Sequence, residues 1–146
     1  MSNDIDTRAF RRALGNFATG VTVITAQNPQ GQKVGITANS FNSVSLDPPL
    51  VLWSLAKDSG SFNVFESASH FAINILASDQ IELSNHFSRY QKDKFAAVDW
   101  EAGVGDCLLL PDCAGRFQCE SYERIDAGDH WVFLGKVVAF DDLGRA

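Results

Sequence analysis

Residues 35–49, GITANSFNSVSLDPP, lie between two apolar, β-branched runs at 21–25 and 50–55. Runs of that composition and length read as buried strands. Small hydroxyl and amide side chains between two such strands leave few ways to build a core. Either the segment is a solvated strand edge ended by the Pro48-Pro49 turn, or its backbone lies close against a polar, planar or phosphorylated ligand.

The rest of the chain supplies the frame. Residues 5–17 read as a short amphipathic helix: Phe10, Ala13, Leu14 and Phe17 share one face, Arg8, Arg11 and Arg12 lie towards the other, and Asp4 or Asp6 caps the start. Residues 21–26 and 33–45 form a hairpin around the Asn28-Pro29-Gln30-Gly31 turn, and 50–55 is a third, buried strand. A short helix is expected at 61–68 and a fourth strand at 71–76. Another helix, capped by Ser78 or Asp79 with Glu82 in its first turn, runs to near Phe87. An irregular polar stretch follows to Pro111, of a length that in compact domains tends to be functional. Two long strands, 115–124 and 130–140, flank Asp126-Ala127-Gly128-Asp129. The expected fold class is therefore mainly β: about six antiparallel strands in a small barrel with a few peripheral helices.

Composition narrows the function. The chain has 146 residues, enough for one domain with one core, and a formal net charge of -6. That charge argues against nucleic acid, whose binding rests on basic patches. No apolar run approaches the roughly 20 residues that span a bilayer, and the acidic N-terminus lacks a signal-peptide core. A cytoplasmic protein is expected. The three cysteines, Cys107, Cys113 and Cys119, form no C-x-x-C, and the three histidines form no ligand-spaced pair, so no metal is expected. No nucleophile elbow or P-loop is present.

Three separated segments carry chemistry. Thr37, Ala38, Asn39 and Ser40 offer backbone N–H groups, an amide and hydroxyls beside small side chains, which suits the edge of a flat heteroaromatic ring. The run 54–61, SLAKDSGS, follows a strand and opens a helix; free N–H groups, Lys57, Ser59 and Ser61 there suit a phosphate. The run 86–95, HFSRYQKDKF, is a basic island of Arg89, Lys92 and Lys94 interleaved with Phe87, Tyr90 and Phe95. Each has an ordinary counterpart: a solvated edge, a capped helix start, a charged loop. Together they read as a ring edge, a phosphate nest and a cationic, aromatic lid. His130, after Gly128-Asp129, is either a surface residue or a donor at the mouth of such a site, with Asp129 orienting its imidazole.

Six blocks in order, FATGVTVITA, GITANSFNSVSLDPPLV, SLAKDSGSF, FAINIL, NHFS and GDHWVFLGKV, resemble the short-chain flavin reductases, the reductase components of two-component flavin-dependent monooxygenases. The resemblance implies a single FMN-binding split-barrel domain over residues 1–146, a homodimer with the flavin near the subunit interface, FMN or FAD as acceptor, and NADH or NADPH as hydride donor. It implies that Thr37, Ala38, Asn39 and Ser40 line the ring, that Ser54, Leu55, Ser59, Ser61 and Phe62 hold the ribityl and phosphate, and that Asn74 and Leu76 lie near the flavin. Phe87, Ser88, Lys94 and Phe95 would border the flavin or its adenylate half, and Gly128, Asp129 and His130 would take the nicotinamide side. Hydride transfer of this kind needs no catalytic acid or base from the protein, because the cofactor carries the chemistry. Family members continue beyond the last strand with a further strand, so the C-terminal end of the family domain is expected to be missing here. A non-enzymatic flavin store or sensor on the same barrel, and a plain interaction module, are the alternatives.

Overall fold

The computed structural model describes residues 6–14, 16, 20–89 and 93–145, and the expectations for Phe17, Tyr90 and Lys92 lie outside them. Helix α1, Thr7–Leu14, is started by Asp6, whose carboxylate accepts from the Arg8 and Ala9 N–H groups (3.0 and 3.4 Å). Strands β1, Thr22–Gln27, and β2, Lys33–Ala38, form the expected hairpin. In its turn the Asn28 side-chain oxygen accepts from the Gln30 and Gln32 N–H groups, and Gly31 takes the left-handed φ of 81°.

The chain continues as β3, Asn42–Leu46; β4, Pro49–Ala56; helix α2, Phe62–Ser67; β5, His70–Ile75; and helix α3, Ile81–Ser88. Then come two short strands, β6, Glu101–Ala102, and β7, Leu108–Leu109, and two long ones, β8, Gly115–Ala127, and β9, His130–Asp142. Helix α3 starts after Gln80, one residue past the expected Asp79 and two past Ser78, and Gln80 folds back to accept from the Ala77 N–H (2.8 Å). Within the stretch expected to be irregular, β6 and β7 pair with each other.

The main sheet is antiparallel with the order β2-β1-β5-β8-β9-β4-β3. It has seven strands where the sequence predicts six, because residues 33–45 are not one strand. The first half pairs with β1 and the second with β4, at opposite edges of the sheet. The three residues 39–41 carry the chain from one edge to the other. Such a short step is possible only if the sheet curls until its edges meet. Ser40 fastens the meeting point: its hydroxyl accepts from the Ser54 N–H (2.9 Å) and contacts the Ser54 carbonyl (3.4 Å).

Inward-facing residues from all around the curl share one core. Ile24, Val51, Trp53, Leu55, Phe71, Ile73, Cys119 and Phe133 are buried together, with Val34, Ile36 and Ala38 packed on them. Trp53 is the centre. Its ring stacks on Phe133 (4.9 Å) and meets the edges of Phe65 (4.7 Å) and Phe71 (5.9 Å). Strand β9 approaches this cluster closely at Gly135, where a Cβ would lie 2.5 Å from the Phe71 ring and 2.8 Å from the Cys119 Cβ. A second cluster under α3 joins Val23, Phe87, Phe95, Leu108, Leu110 and Cys113.

All three cysteines are unpaired and buried. Burial pushes the Cys107 thiol up to about 11 and the Cys119 thiol to about 12, and it raises Cys113 as well. Raised values mean that the folded chain keeps its thiol protons longer than the unfolded one. The thiols' contribution is full below pH 9.0 and lost as pH rises towards 11–12. Denaturant titrations should show stability falling above pH 9, and an aromatic disulfide reagent at pH 8 should label the thiols only after unfolding. Rapid labelling of the native chain would contradict this packing.

Candidate functional site

Two adjoining cavities open where the sheet's edges meet. The first, about 340 Å³, is lined by Ile36, Thr37, Ala38, Asn39, Ser40, Ser54, Leu55, Ala56, Ser59 and His130. The second, about 480 Å³, is lined by Lys33 to Thr37, by Ser59, Gly60 and Ser61, and by Phe87, Ser88, Arg89 and Lys94. They share Ile36, Thr37 and Ser59, so they form one groove. Its two ends differ in chemistry. One presents small side chains, hydroxyls and an amide. The other adds three cations, Lys33, Arg89 and Lys94.

Local bonds set this shape. The Thr37 hydroxyl donates to the Ser84 carbonyl (2.6 Å), tying β2 to α3. Gly35 lets α3 come close: a Cβ there would lie 2.6 Å from the Phe87 ring and 3.2 Å from Phe95. Lys94 ties the following loop to both, because its ammonium donates to the carbonyls of Gly35 (3.0 Å) and Phe87 (2.8 Å). Burial lowers its pKa. An ammonium has three N–H donors, so one remains for a ligand. The imidazole Nε2 of His86 meets the Lys94 carbonyl (2.6 Å), closing the same loop from the other side.

The phosphate end is built differently from the expectation. Helix α2 has only six residues, and the Ser61 N–H is engaged by the Ser59 hydroxyl (3.2 Å). Hydroxyls and cations, rather than an open helix end, are what an anion meets there. Among the described residues the Ser61 hydroxyl and the Asn39 amide have no side-chain hydrogen-bond partner, and both line the groove.

At the other end His130 follows the two-residue turn Gly128-Asp129, where Gly128 takes a φ of 71°. Its Nδ1 pairs with the Asp129 carboxylate (2.7 Å), which leaves Nε2 available to a ligand. Hydrogen bonding from His130, reinforced by its charge, lowers the Asp129 pKa.

Several expected site residues are not brought to this groove. Asn74 is fully buried. Its amide donates to the Val23 carbonyl (3.0 Å) and the Thr25 hydroxyl (3.2 Å), and accepts from the Leu110 N–H (3.0 Å). Leu76 packs against the cluster under α3, and Phe95 is buried in it. Phe62 turns away to stack on Trp131 (5.6 Å). Gly128 and Asp129 shape the turn without lining either cavity. Conversely, Lys33, Gly35, Ile36, Ala56 and Gly60 line the groove without having been singled out. Period-two alternation carried part of that signal, since Lys33, Gly35 and Thr37 share one face of β2. Among the described residues no group of three or more His, Cys, Asp or Glu could hold a metal ion, and no helix is long and apolar enough to cross a membrane.

The model of the flavin reductase like domain matches residues 14–145. The chain belongs to the flavin reductase-like domain family. Among relatives, the chain is 48% identical over 133 residues to the FMN reductase (NADH) SmoA of Agrobacterium fabrum, covering 91% of this chain and 75% of that protein. It is 47% identical over 139 residues to the reductase component of a flavin-dependent trigonelline monooxygenase from Acinetobacter baylyi, covering 95% of this chain and 45% of that protein. Several relatives are longer in this way, and the chain spans about half their length. Among solved structures, the NADH:FAD oxidoreductase SgcE6 of Streptomyces globisporus, in complex with NAD and FAD fragments, superposes with a TM-score of 0.91 at 34% identity, covering 100% of this chain and 88% of that one. The fold is thus the split barrel of the flavin reductases.

Asn74→Ala removes the donor and acceptor of a buried network and leaves the Leu110 N–H unpartnered. It should lower unfolding free energy by roughly 1–3 kcal/mol, read by urea denaturation. An unchanged midpoint would show that Asn74 does not hold the barrel together.

Proposed function

We propose that this chain is an NAD(P)H:flavin reductase that transfers hydride from NADH or NADPH to FMN or FAD and supplies reduced flavin to a partner monooxygenase. The observation that carries the reading is the groove's change of character along its length. Ala38, Asn39, Ser40 and Ser54 offer a small, polar-edged recess beside Leu55, and the recess runs into a larger one lined by Ser59, Ser61, Lys33, Arg89 and Lys94. A flat ring with polar edges and a phosphorylated tail needs that order of groups. The relatives' names support the same reading, for the FMN reductase, the monooxygenase reductase component and the NADH:FAD oxidoreductase alike.

The residues divide the work. Thr37, Ala38, Asn39 and Ser40 line the flavin ring, with the Asn39 amide as an uncommitted donor and acceptor for its edge. Ser54, Leu55, Ser59 and Ser61 hold the ribityl and phosphate, helped by Lys33 and Arg89. Phe87, Ser88 and Lys94 border the tail. His130, oriented by Asp129 at the Gly128 turn, takes the nicotinamide side. Bound in this groove, the flavin supplies the hydride-accepting chemistry. The protein's part is to hold the two rings against each other and exclude water, a contribution that positioning alone can make large. No proton-transfer residue is required for the hydride step.

Residues 1–146 act as one domain, and the working unit is a homodimer in the cytoplasm. Val44, Leu46, Tyr122, Ile125 and Phe140 on β3, β8 and β9 are exposed, Leu46 at 93%, and a second copy would cover such a surface.

Absorbance at the NADH band, followed under air with FMN, FAD or neither, tests the reading. Oxidation should require added flavin. A yellow protein without turnover would instead be a flavin store, and a colourless one unaffected by flavin an interaction module. Ser59→Ala should weaken flavin by about 1 kcal/mol, the usual scale of a hydrogen bond. His130→Ala should raise the nicotinamide KM or lower kcat while changing flavin affinity less. Loss of flavin with unchanged nicotinamide kinetics would reverse that assignment.

A further inference from the structure

Trp131, the residue after His130, sits in a cluster that joins residues 57–66 to the β8–β9 hairpin. Its indole stacks on Phe62 at 5.6 Å with 22° between the planes. The Lys57 ammonium lies 4.8 Å from the ring centroid and the Arg124 guanidinium 5.0 Å, with Arg124 also 5.4 Å from Phe62. Each cation has its own carboxylate: Lys57 pairs with Asp126, which stands opposite Trp131 in the β8–β9 ladder, and Arg124 pairs with Glu66 of α2 (2.9 Å). The backbone joins in, as the Lys57 N–H donates to the Asp129 carbonyl (3.0 Å).

The charges in this cluster are balanced within it, so it is poorly suited to hold an anion. What it does hold is position. Ser59 and Ser61 lie between Lys57 and Phe62, and both of those residues are fastened to the β8–β9 hairpin. His130 lies beside Trp131 on that hairpin. Without the cluster, the hairpin tip and the segment 57–62 would be joined mainly by the β4–β9 ladder, which ends at Ala56 and His130.

We propose that Trp131, clasped by Phe62, Lys57 and Arg124, is a positioning residue that sets the spacing between the phosphate-side serines and His130. Through it, flavin affinity and nicotinamide affinity are coupled. The inference rests on the flavin reductase reading above, and it adds a residue that touches neither cavity.

The test compares Trp131→Ala, Trp131→Phe and Arg124→Gln in the full chain. Flavin Kd is read from quenching of flavin fluorescence, and nicotinamide KM and kcat from steady-state rates. Trp131→Ala should raise flavin Kd and nicotinamide KM together, each about tenfold, with kcat changed less, as expected from losing one aromatic stack and two cation–ring contacts. Trp131→Phe should restore most of both, because a ring remains for Phe62 and the cations. Arg124→Gln, at a half-exposed position where folding is not at risk, should move both constants about threefold. A lower Tm with both constants unchanged would make the cluster merely structural and overturn the proposal. So would a change in one constant alone, or Arg124→Gln behaving as wild type. Hydrogen exchange of the Lys57 amide in ligand-free protein should quicken in Trp131→Ala, and unchanged exchange would contradict the clasp. If wild type itself binds no flavin, the functional reading fails, while this exchange measurement still decides the clasp.

Discussion

The step across residues 39–41 governs the architecture. A strand paired with β1 is followed, three residues later, by one paired with β4 at the far edge of the same sheet. A flat sheet of seven strands would separate those edges by several strand spacings of about 4.8 Å, far beyond the reach of three residues. The sheet must curl. Once curled, it brings the polar backbone of 37–40 against Ser54, and the Ser40 hydroxyl bridges the gap. The groove is a consequence of that closure, since both of its walls meet there.

Two further ties turn a seam into a site. On one side Lys94, Gly35 and the Thr37 hydroxyl hold α3 and its following loop down on β2. On the other, the Trp131 cluster holds the segment 57–62 on the β8–β9 hairpin. Individually these contacts are modest, of the order of 1 kcal/mol each. Their effect lies in direction, because each constrains a wall of the groove relative to the barrel. A reaction carried by a cofactor asks for this kind of contribution from the protein: fixed distances rather than reactive side chains.

Much of this was legible in the sequence where local chemistry decides. Strands β1, β4 and β5 fall within a residue or so of the apolar runs that predict them, and the Asn28 turn and the Gly128 turn announce themselves by residue type. The hydroxyl-rich segment from Thr37 to Ser40 stood out because nothing in a dry core would ask for it. What the sequence hid depends on distant partners. Residues 33–45 read as one strand because a change of pairing partner leaves no mark in the alternation. The resemblance alone places Asn74 near the flavin, and its own chemistry cannot arbitrate, because a polar residue in an apolar strand reads the same whether it meets a ligand or a buried backbone. Its partners, Val23, Thr25 and Leu110, come from β1 and the loop after β7. Phe62 likewise followed the phosphate serines in sequence but turned to Trp131 in space.

The most direct test of the central claim is a crystal structure of the chain with FMN bound. The ring should lie against Thr37, Ala38, Asn39 and Ser40, the ribityl chain should run past Ser54 and Leu55, and the phosphate should sit among Ser59, Ser61 and the neighbouring cations. A flavin seated away from the seam between β2 and β4, with that groove left unengaged, would contradict the account.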